Sequence, residues 1–349
     1  MADKMRMAVV GCGAIGRVHA KAIAGLDEAQ LVAVCDVGHD RAIALADDYG
    51  CKAYSDYRQM FDTERLDMVS VCTPSGTRLD ICEAASSKKT NLLVEKPLDI
   101  TLERASRIVD VCESAGVKLG SVFQLRFMPV YSQLKRAVSE GRFGKLILGN
   151  TQTICYRSDE YYHSGGWRGT VEQDGGGALM NQGIHSVDLL RWIMGDVKSV
   201  FAYKGSLTHD IEVEDTVAAV VEFANGAKGT IEATTSVKHG IDKRLEIMGE
   251  NGTVIVTGNG VEMWRFEQSE EHDDVLPAPE PLTRKGIDPK SPLVEDVWGH
   301  QQQILDMMNA IREDRQPAVT GKDGKKAVEL VLAIYESTRT GKRVVLGEN

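Results

Sequence analysis

Along this 349-residue chain the spacing of hydrophobic positions changes near residue 145. Before it, short apolar runs at 5–10, 31–35, 67–72, 91–94 and 117–123 alternate with stretches of helical spacing at 18–24, 76–88 and 102–115. Continuous apolar runs separated by amphipathic helices predict a parallel, doubly wound sheet, whose strands are covered on both faces. After a helix at 129–139, longer runs follow at 146–156, 197–207, 216–223, 227–236, 244–248, 253–257 and 261–266. Asn225-Gly226 and Asn251-Gly252 are hairpin-turn dipeptides. This half therefore predicts an open, mainly antiparallel sheet of about six strands. An acidic, Pro-rich loop at 267–292 and two helices, 297–312 and 325–339, complete the chain. The expected class is α/β: a Rossmann doubly wound parallel sheet over 1–123, then an α+β domain with a large open, mainly antiparallel sheet over 124–349. The last helix is a candidate to pack back on the first domain.

One helix interrupts the second set of strands, from about residue 177 to 194. It is apolar nearly all round, as a buried helix is, yet Asn181, His185 and Asp188 fall at i, i+4 and i+7. Buried polar groups need partners, so the stripe must face an internal network or a cavity; for Asp188 a satisfied network is favoured. The preceding loop, Tyr161 to Gly169 with Asp174-Gly175-Gly176-Gly177, is Gly-rich, aromatic and polar. That composition suits a sugar, with Trp167 as a stacking face.

Composition narrows the partners. The chain is 42% hydrophobic and 26% charged, with a formal net charge of −10. An acidic surface argues against a nucleic-acid footprint or an anionic membrane. No apolar run approaches the ~18 residues of a membrane span, and the first residues carry no leader pattern. The seven cysteines are scattered, with no Cys-x-x-Cys pair. They read as small buried hydrophobes in a reducing cytoplasm. The histidines show no metal-ligand spacing, so no metal site is expected.

The first apolar run ends in Gly11-Cys12-Gly13-Ala14-Ile15-Gly16, and the second ends in Asp36, twenty residues after Gly16. A G-x-G-x-x-G between strand and helix, with an acid at the end of the second strand, is the dinucleotide fingerprint. Gly11 serves the turn, Gly13 the approach of the pyrophosphate and Gly16 the packing of helix on strand; Ala14 and Ile15 begin a helix whose N–H groups face the anion. Asp36 would accept hydrogen bonds from the adenosine ribose, which favours NAD over NADP, although Arg41 lies close by. Thr73-Pro74 and Glu95-Lys96-Pro97 also end strands of this sheet. Ligands bind outside the carboxyl ends of such strands, so these residues should share a crevice with the cofactor.

Taken together, Gly11 to Gly16, Thr73-Pro74, Glu95-Lys96-Pro97 and the Asn181…His185…Asp188 helix resemble the glucose-fructose oxidoreductase / inositol dehydrogenase / MocA family over essentially the whole chain. Within it, Trp167-Arg168-Gly169-Thr170, Asp174-Gly175-Gly176, Met180-Asn181-Gln182 and the run from Ile211 to Thr216 are similar to members that oxidise C3 of a glucosyl ring. The resemblance implies NAD(P)-dependent hydride transfer from a secondary alcohol, with Lys96 and His185 near the reacting hydroxyl, and dimers or tetramers formed through the second-domain sheet. Two positions depart. Asn181 stands where many members have Asp, and an amide cannot take a proton. Arg78 stands where His is frequent, which leaves its role open.

The expected function is NAD-dependent oxidation, at C3, of a glucosyl-type sugar, glycoside or nucleotide sugar in the cytoplasm. His185 is the first choice of base because imidazole titrates in the working range; Lys96 is a polarising donor or an alternative base. Asn181, Gln124, Arg126, Trp167 and Arg168 are candidates to hold the substrate. Thr73, Pro74, Glu95, Lys96 and Gln124 would line the nicotinamide end. The rival readings are a cyclitol 2-dehydrogenase, a redox-assisted glycosidase and a non-catalytic sensor.

Overall fold

A computed structural model describes residues 4–270, 273 and 297–347. The chain forms two compact units, residues 1–124 with 293–326, and residues 125–292 with 327–349.

In the first unit, six strands, β1 (Met5–Val10), β2 (Ala29–Cys35), β3 (Lys52–Tyr54), β4 (Met68–Val71), β5 (Asn91–Val94) and β6 (Leu119–Ser121), form a parallel sheet in the order β3-β2-β1-β4-β5-β6. The helices of this half are α1 (Ala14–Ala24), α2 (His39–Tyr49), α3 (Tyr57–Thr63), α4 (Arg78–Ser87) and α5 (Leu102–Ala115). Met7, Val9, Met68, Leu92 and Leu93 are fully or almost fully buried, as the apolar runs require. Register decides where the chemistry falls. Val10 lies opposite Cys35 and Val71, Val71 opposite Val94, and Val94 opposite Ser121. The residues that follow, Gly11, Asp36, Cys72 and Glu95, therefore emerge together at the carboxyl edge.

The second unit holds β7 (Leu146–Tyr156), β8 (Val197–Gly205), β9 (Thr216–Phe223), β10 (Lys228–Thr234), β11 (Ser236–Gly249), β12 (Gly252–Thr257), β13 (Gly260–Phe266) and β14 (Val344–Val345) in one eight-stranded sheet, order β13-β12-β11-β7-β10-β9-β8-β14. Pairing is antiparallel except between β7 and β10. The sheet is wider than six strands because all seven apolar runs form strands and the two-residue β14, paired with β8, adds an eighth. On β9, Val217, Ala219, Val221 and Phe223 are buried while Val220, on the other face, is 54% exposed. Helices α6 (Pro129–Ser139), α7 (Asp159–His163) and α8 (Ile184–Met194) also belong to this half. Towards the end of the chain come α9 (Trp298–Arg312) and α10 (Gly321–Thr340), and the division between units falls inside α10. The loop expected at 267–292 lies mostly outside the described residues.

The helix expected from 177 to 194 is not one α-helix. It opens with a π turn, Ala178–Gly183, before α8 begins. Glu214, 2% exposed, holds the start: its carboxylate accepts the N–H groups of Gly177 (3.1 Å) and Leu179 (3.0 Å) and the Tyr335 hydroxyl (2.7 Å). Gly183 presses against β10; a Cβ there would lie 3.2 Å from that of Ala233. Asn181 lies in the π turn, and His185 and Asp188 lie in α8. Asp188 makes a fully buried bidentate pair with Arg126, at 2.8 and 2.5 Å, and the Arg126 guanidinium lies 5.3 Å from the Trp192 ring.

Removing one member of such a pair strands the other charge. Asp188→Ala is expected to cost about 3–5 kcal/mol of unfolding free energy, measured by denaturant titration. An Arg126→Met/Asp188→Leu double variant should recover much of that loss.

Candidate active site

In the first unit the Gly-rich turn has the shape of an anion cradle. Gly11 has φ +98°, and a Cβ on Gly16 would stand 1.8 Å from the Gly11 carbonyl oxygen, so a side chain is excluded at both. A Cβ on Gly13 would meet nothing within 4 Å. That open space lies at the N-terminus of α1, beside Ala14 and Ile15, where backbone N–H groups await an anion. Asp36 secures the turn: one oxygen accepts the Cys12 N–H (2.8 Å), the other the Gly38 N–H (2.8 Å) and Arg41 (2.5 Å). Burial opposes its charge, but these donors outweigh it and hold the carboxyl below its usual range. Two buried oxygens nearer the other end, Thr73 Oγ1 and Gln124 Oε1, have no hydrogen-bond partner. The donor set and the open space at Gly13 suit a dinucleotide, for which Gly13 and α1 would take the pyrophosphate, Asp36 the adenosine ribose, and Thr73 and Gln124 the polar nicotinamide end.

Glu95 is 3% exposed and its two oxygens serve two partners. Oε1 lies 3.1 Å from His19 Nε2, and Oε2 accepts the Lys96 N–H at 3.0 Å. Desolvation works against both charges. On His19, Cys72 and Glu95 outweigh it and push the imidazolium up to about 10; on Glu95, His19 and Lys96 hold the carboxyl down at about 2. His300 stacks edge-on at 5.4 Å from His19. The ligating atoms of His19, Glu95 and His300 lie within 4.8 Å of one another, a cluster without any signature in sequence spacing. Arg78, 4% exposed, donates to the carbonyls of Thr73 (3.1 and 2.9 Å), Glu95 and Pro97. It thus ties the end of β4 to both flanks of Lys96, which is itself half-buried.

In the second unit, the π turn and the aromatic loop share one polar network. Asp174, 2% exposed, accepts the Gly169 N–H (3.0 Å) and the Asn181 amide (2.8 Å). Gln182 donates to Asn181 (3.1 Å) and to the Tyr161 hydroxyl (3.1 Å), and accepts from Arg157 (2.8 Å). His185, 8% exposed, is the second residue of α8, just after this turn. Arg168 stacks on Trp167 at 4.8 Å and on Tyr161 at 4.7 Å. Arg126, expected to hold a hydroxyl, has its guanidinium on Asp188. His19, His300 and Arg157 escaped the sequence reading because Glu95, His19 and Gln182, which they meet, are distant along the chain; Asp174 and Gln182 stood out only through loop composition and the family resemblance.

Residues 5–123 match the oxidoreductase family with an NAD-binding Rossmann fold, and residues 131–255 match the GFO/IDH/MocA C-terminal domain. The chain is 30% identical to an inositol 2-dehydrogenase of Rhizobium meliloti, over 97% of this chain and 98% of that protein. It is 28% identical to a myo-inositol 2-dehydrogenase of Thermotoga maritima, over 99% of both. The crystal structure of the WlbA dehydrogenase from Bordetella pertussis, in complex with NADH and UDP-GlcNAcA, superimposes with a TM-score of 0.89 at 32% identity, covering 99% of this chain and all of that one. The chain therefore belongs to the GFO/IDH/MocA oxidoreductase family. It is a dehydrogenase whose cofactor is NAD. No helix among the described residues is long and apolar enough to cross a membrane.

The His19–Glu95 pair sets a pH dependence with two limbs. His19 is raised from 6.5, so its contribution is complete below 6.5 and is lost as pH climbs toward about 10. Glu95 is depressed from 4.5, so its contribution is complete above 4.5 and is lost as pH falls toward about 2. The pair should stabilise most between those ordinary values. In thermal melts from pH 6.5 to 10, His19→Gln should start lower and decline less steeply than the wild type; parallel curves would refute the assignment.

Proposed function

We propose that this enzyme oxidises a secondary hydroxyl, at C3, of a glucosyl-type sugar, glycoside or nucleotide sugar, giving a keto-sugar. The observation that carries this reading is the Asp174 carboxylate, which bonds both Gly169 and Asn181 and so fixes the Trp167–Thr170 loop to the turn that precedes His185. Similarity at 32% to a dehydrogenase in complex with NADH and UDP-GlcNAcA supports the same reading. NAD⁺, which the Gly11–Gly16 turn and Asp36 would hold, would supply the hydride acceptor. His185 takes the hydroxyl proton, in the range where imidazole titrates. Lys96, its backbone held by Glu95 and by Arg78 on either side, is the ammonium donor assigned to polarise a substrate oxygen. Asn181, already a donor to Asp174, keeps its role as an orienting amide, and Trp167 offers a face to the ring. Gln124 serves the cofactor or a neighbouring hydroxyl.

A second reading, a cyclitol 2-dehydrogenase, draws on whole-length similarity to two inositol 2-dehydrogenases. NADH formation across glucosides, nucleotide sugars, free sugars and inositols separates the two. On the substrate so found, Lys96→Ala and His185→Ala should each lower kcat by ~10²–10⁴-fold; near-normal turnover in both would remove them from the chemistry. We also infer self-association through the outer face of the second sheet, where Leu148, Tyr203 and Val220 are exposed. Val220→Lys should then reduce the mass found by sedimentation equilibrium, and a wild type that sediments as a monomer would refute it.

A further inference from the structure

Two arginines of the second unit have no counter-charge among the described residues. Arg157 and Arg168 place their guanidinium carbons 5.3 and 4.7 Å from the centre of one ring, that of Tyr161. Arg157 donates to the Tyr156 carbonyl (3.1 Å) and to Gln182 (2.8 Å); Arg168 donates to the Ser164 carbonyl (2.8 Å) and hydroxyl (2.9 Å). All four acceptors are neutral. Among the described residues neither guanidinium has a carboxylate within 4.0 Å, although the chain as a whole carries a net charge of −10. In both, Nε is buried with no acceptor. The nearby Asp174 carboxylate is already engaged by Gly169 and Asn181.

Cation–π contact with Tyr161 offsets part of the desolvation. It does not offset the repulsion of two like charges about one ring, nor two buried N–H donors left unmade. A planar, two-pronged anion would satisfy all of these, because guanidinium forks match carboxylate and phosphate oxygens. Through Gln182, Arg157 bonds to the turn that ends two residues before His185.

We propose that Arg157 and Arg168 form an anion subsite, and that the sugar oxidised here is acidic, bearing a carboxylate or a phosphate. The inference rests on the sugar-dehydrogenase reading above and narrows it. It disfavours inositols and neutral glycosides, which offer no charge to the pair.

Matched substrates test it in steady-state assays of the full-length enzyme with NAD⁺. Methyl glucoside and myo-inositol are the neutral arms, methyl glucuronoside presents a carboxylate, and glucose 1-phosphate and UDP-glucose present phosphate. At least one acidic arm should exceed the neutral arms about tenfold or more in kcat/KM, and its KM should rise with ionic strength. Arg157→Gln and Arg168→Gln should each raise that KM about ten- to hundredfold, with a smaller effect on kcat and a narrower acidic-over-neutral preference; Arg→Lys should recover part of it. Equal or better use of a neutral arm would overturn the subsite while leaving the dehydrogenase reading standing. Arginine-dependent binding of an acidic sugar to the NADH complex, followed by tryptophan fluorescence but without turnover of any arm, would sustain the subsite and sink the dehydrogenase reading. Failure of every acidic sugar both to bind and to react would refute the subsite. The wild-type preference decides the matter even if a variant does not fold.

Discussion

Glu95 is a carboxylate that folding removes almost wholly from water, and such a group persists only where donors meet it. It finds them on two elements: His19 in the helix that leaves the Gly-rich turn, and the main chain of Lys96 at the end of β5. The helix that leaves the Gly-rich turn and the main chain of Lys96 are thereby fixed to each other through one buried carboxylate. Arg78 adds a second brace by gathering the carbonyls of Thr73, Glu95 and Pro97 around a single guanidinium. Neither brace touches a solvent-screened surface, so both hold their geometry without competition from water.

The second unit solves a similar problem by other means. Its helix must bring polar side chains to an interior face while its backbone lies close against a sheet. Glu214 takes the N–H groups at the start, and Gly183 permits the close approach to β10. The outcome is a π turn, a local widening that often accompanies functional sites. Asp174 then supplies a carboxylate next to Asn181, at a position where an amide alone would have left the network without one. The carboxylate is held by hydrogen bonds and buried, so its place in the network is positional.

Much of this was legible in the chain. Apolar runs on the first 123 residues marked the parallel sheet, and the Gly11–Gly16 turn with Asp36 marked its cofactor, because those signals depend on neighbours only a few residues away. Other elements were not legible. The segment carrying α2, β3 and α3 has short, weakly apolar elements, and β14 is two residues long. The π turn was read as α-helix since its cause, Glu214, lies more than thirty residues downstream. Arg126 looked available to a substrate because Asp188 lies 62 residues away.

The sequence by itself determined the class of fold and the NAD-binding domain, and made Lys96 and His185 candidates; these follow from periodicity, from motifs read within a strand or a turn, and from the family resemblance they carry. Only the tertiary structure decided which charges were already spent. Arg126 and Glu95 are held by partners, Asn181 is backed by Asp174, and Arg157 and Arg168 are left with neutral acceptors alone. The physical reason is that a charge is satisfied by whatever lies within a few ångströms, and that proximity is set by the packing of distant segments.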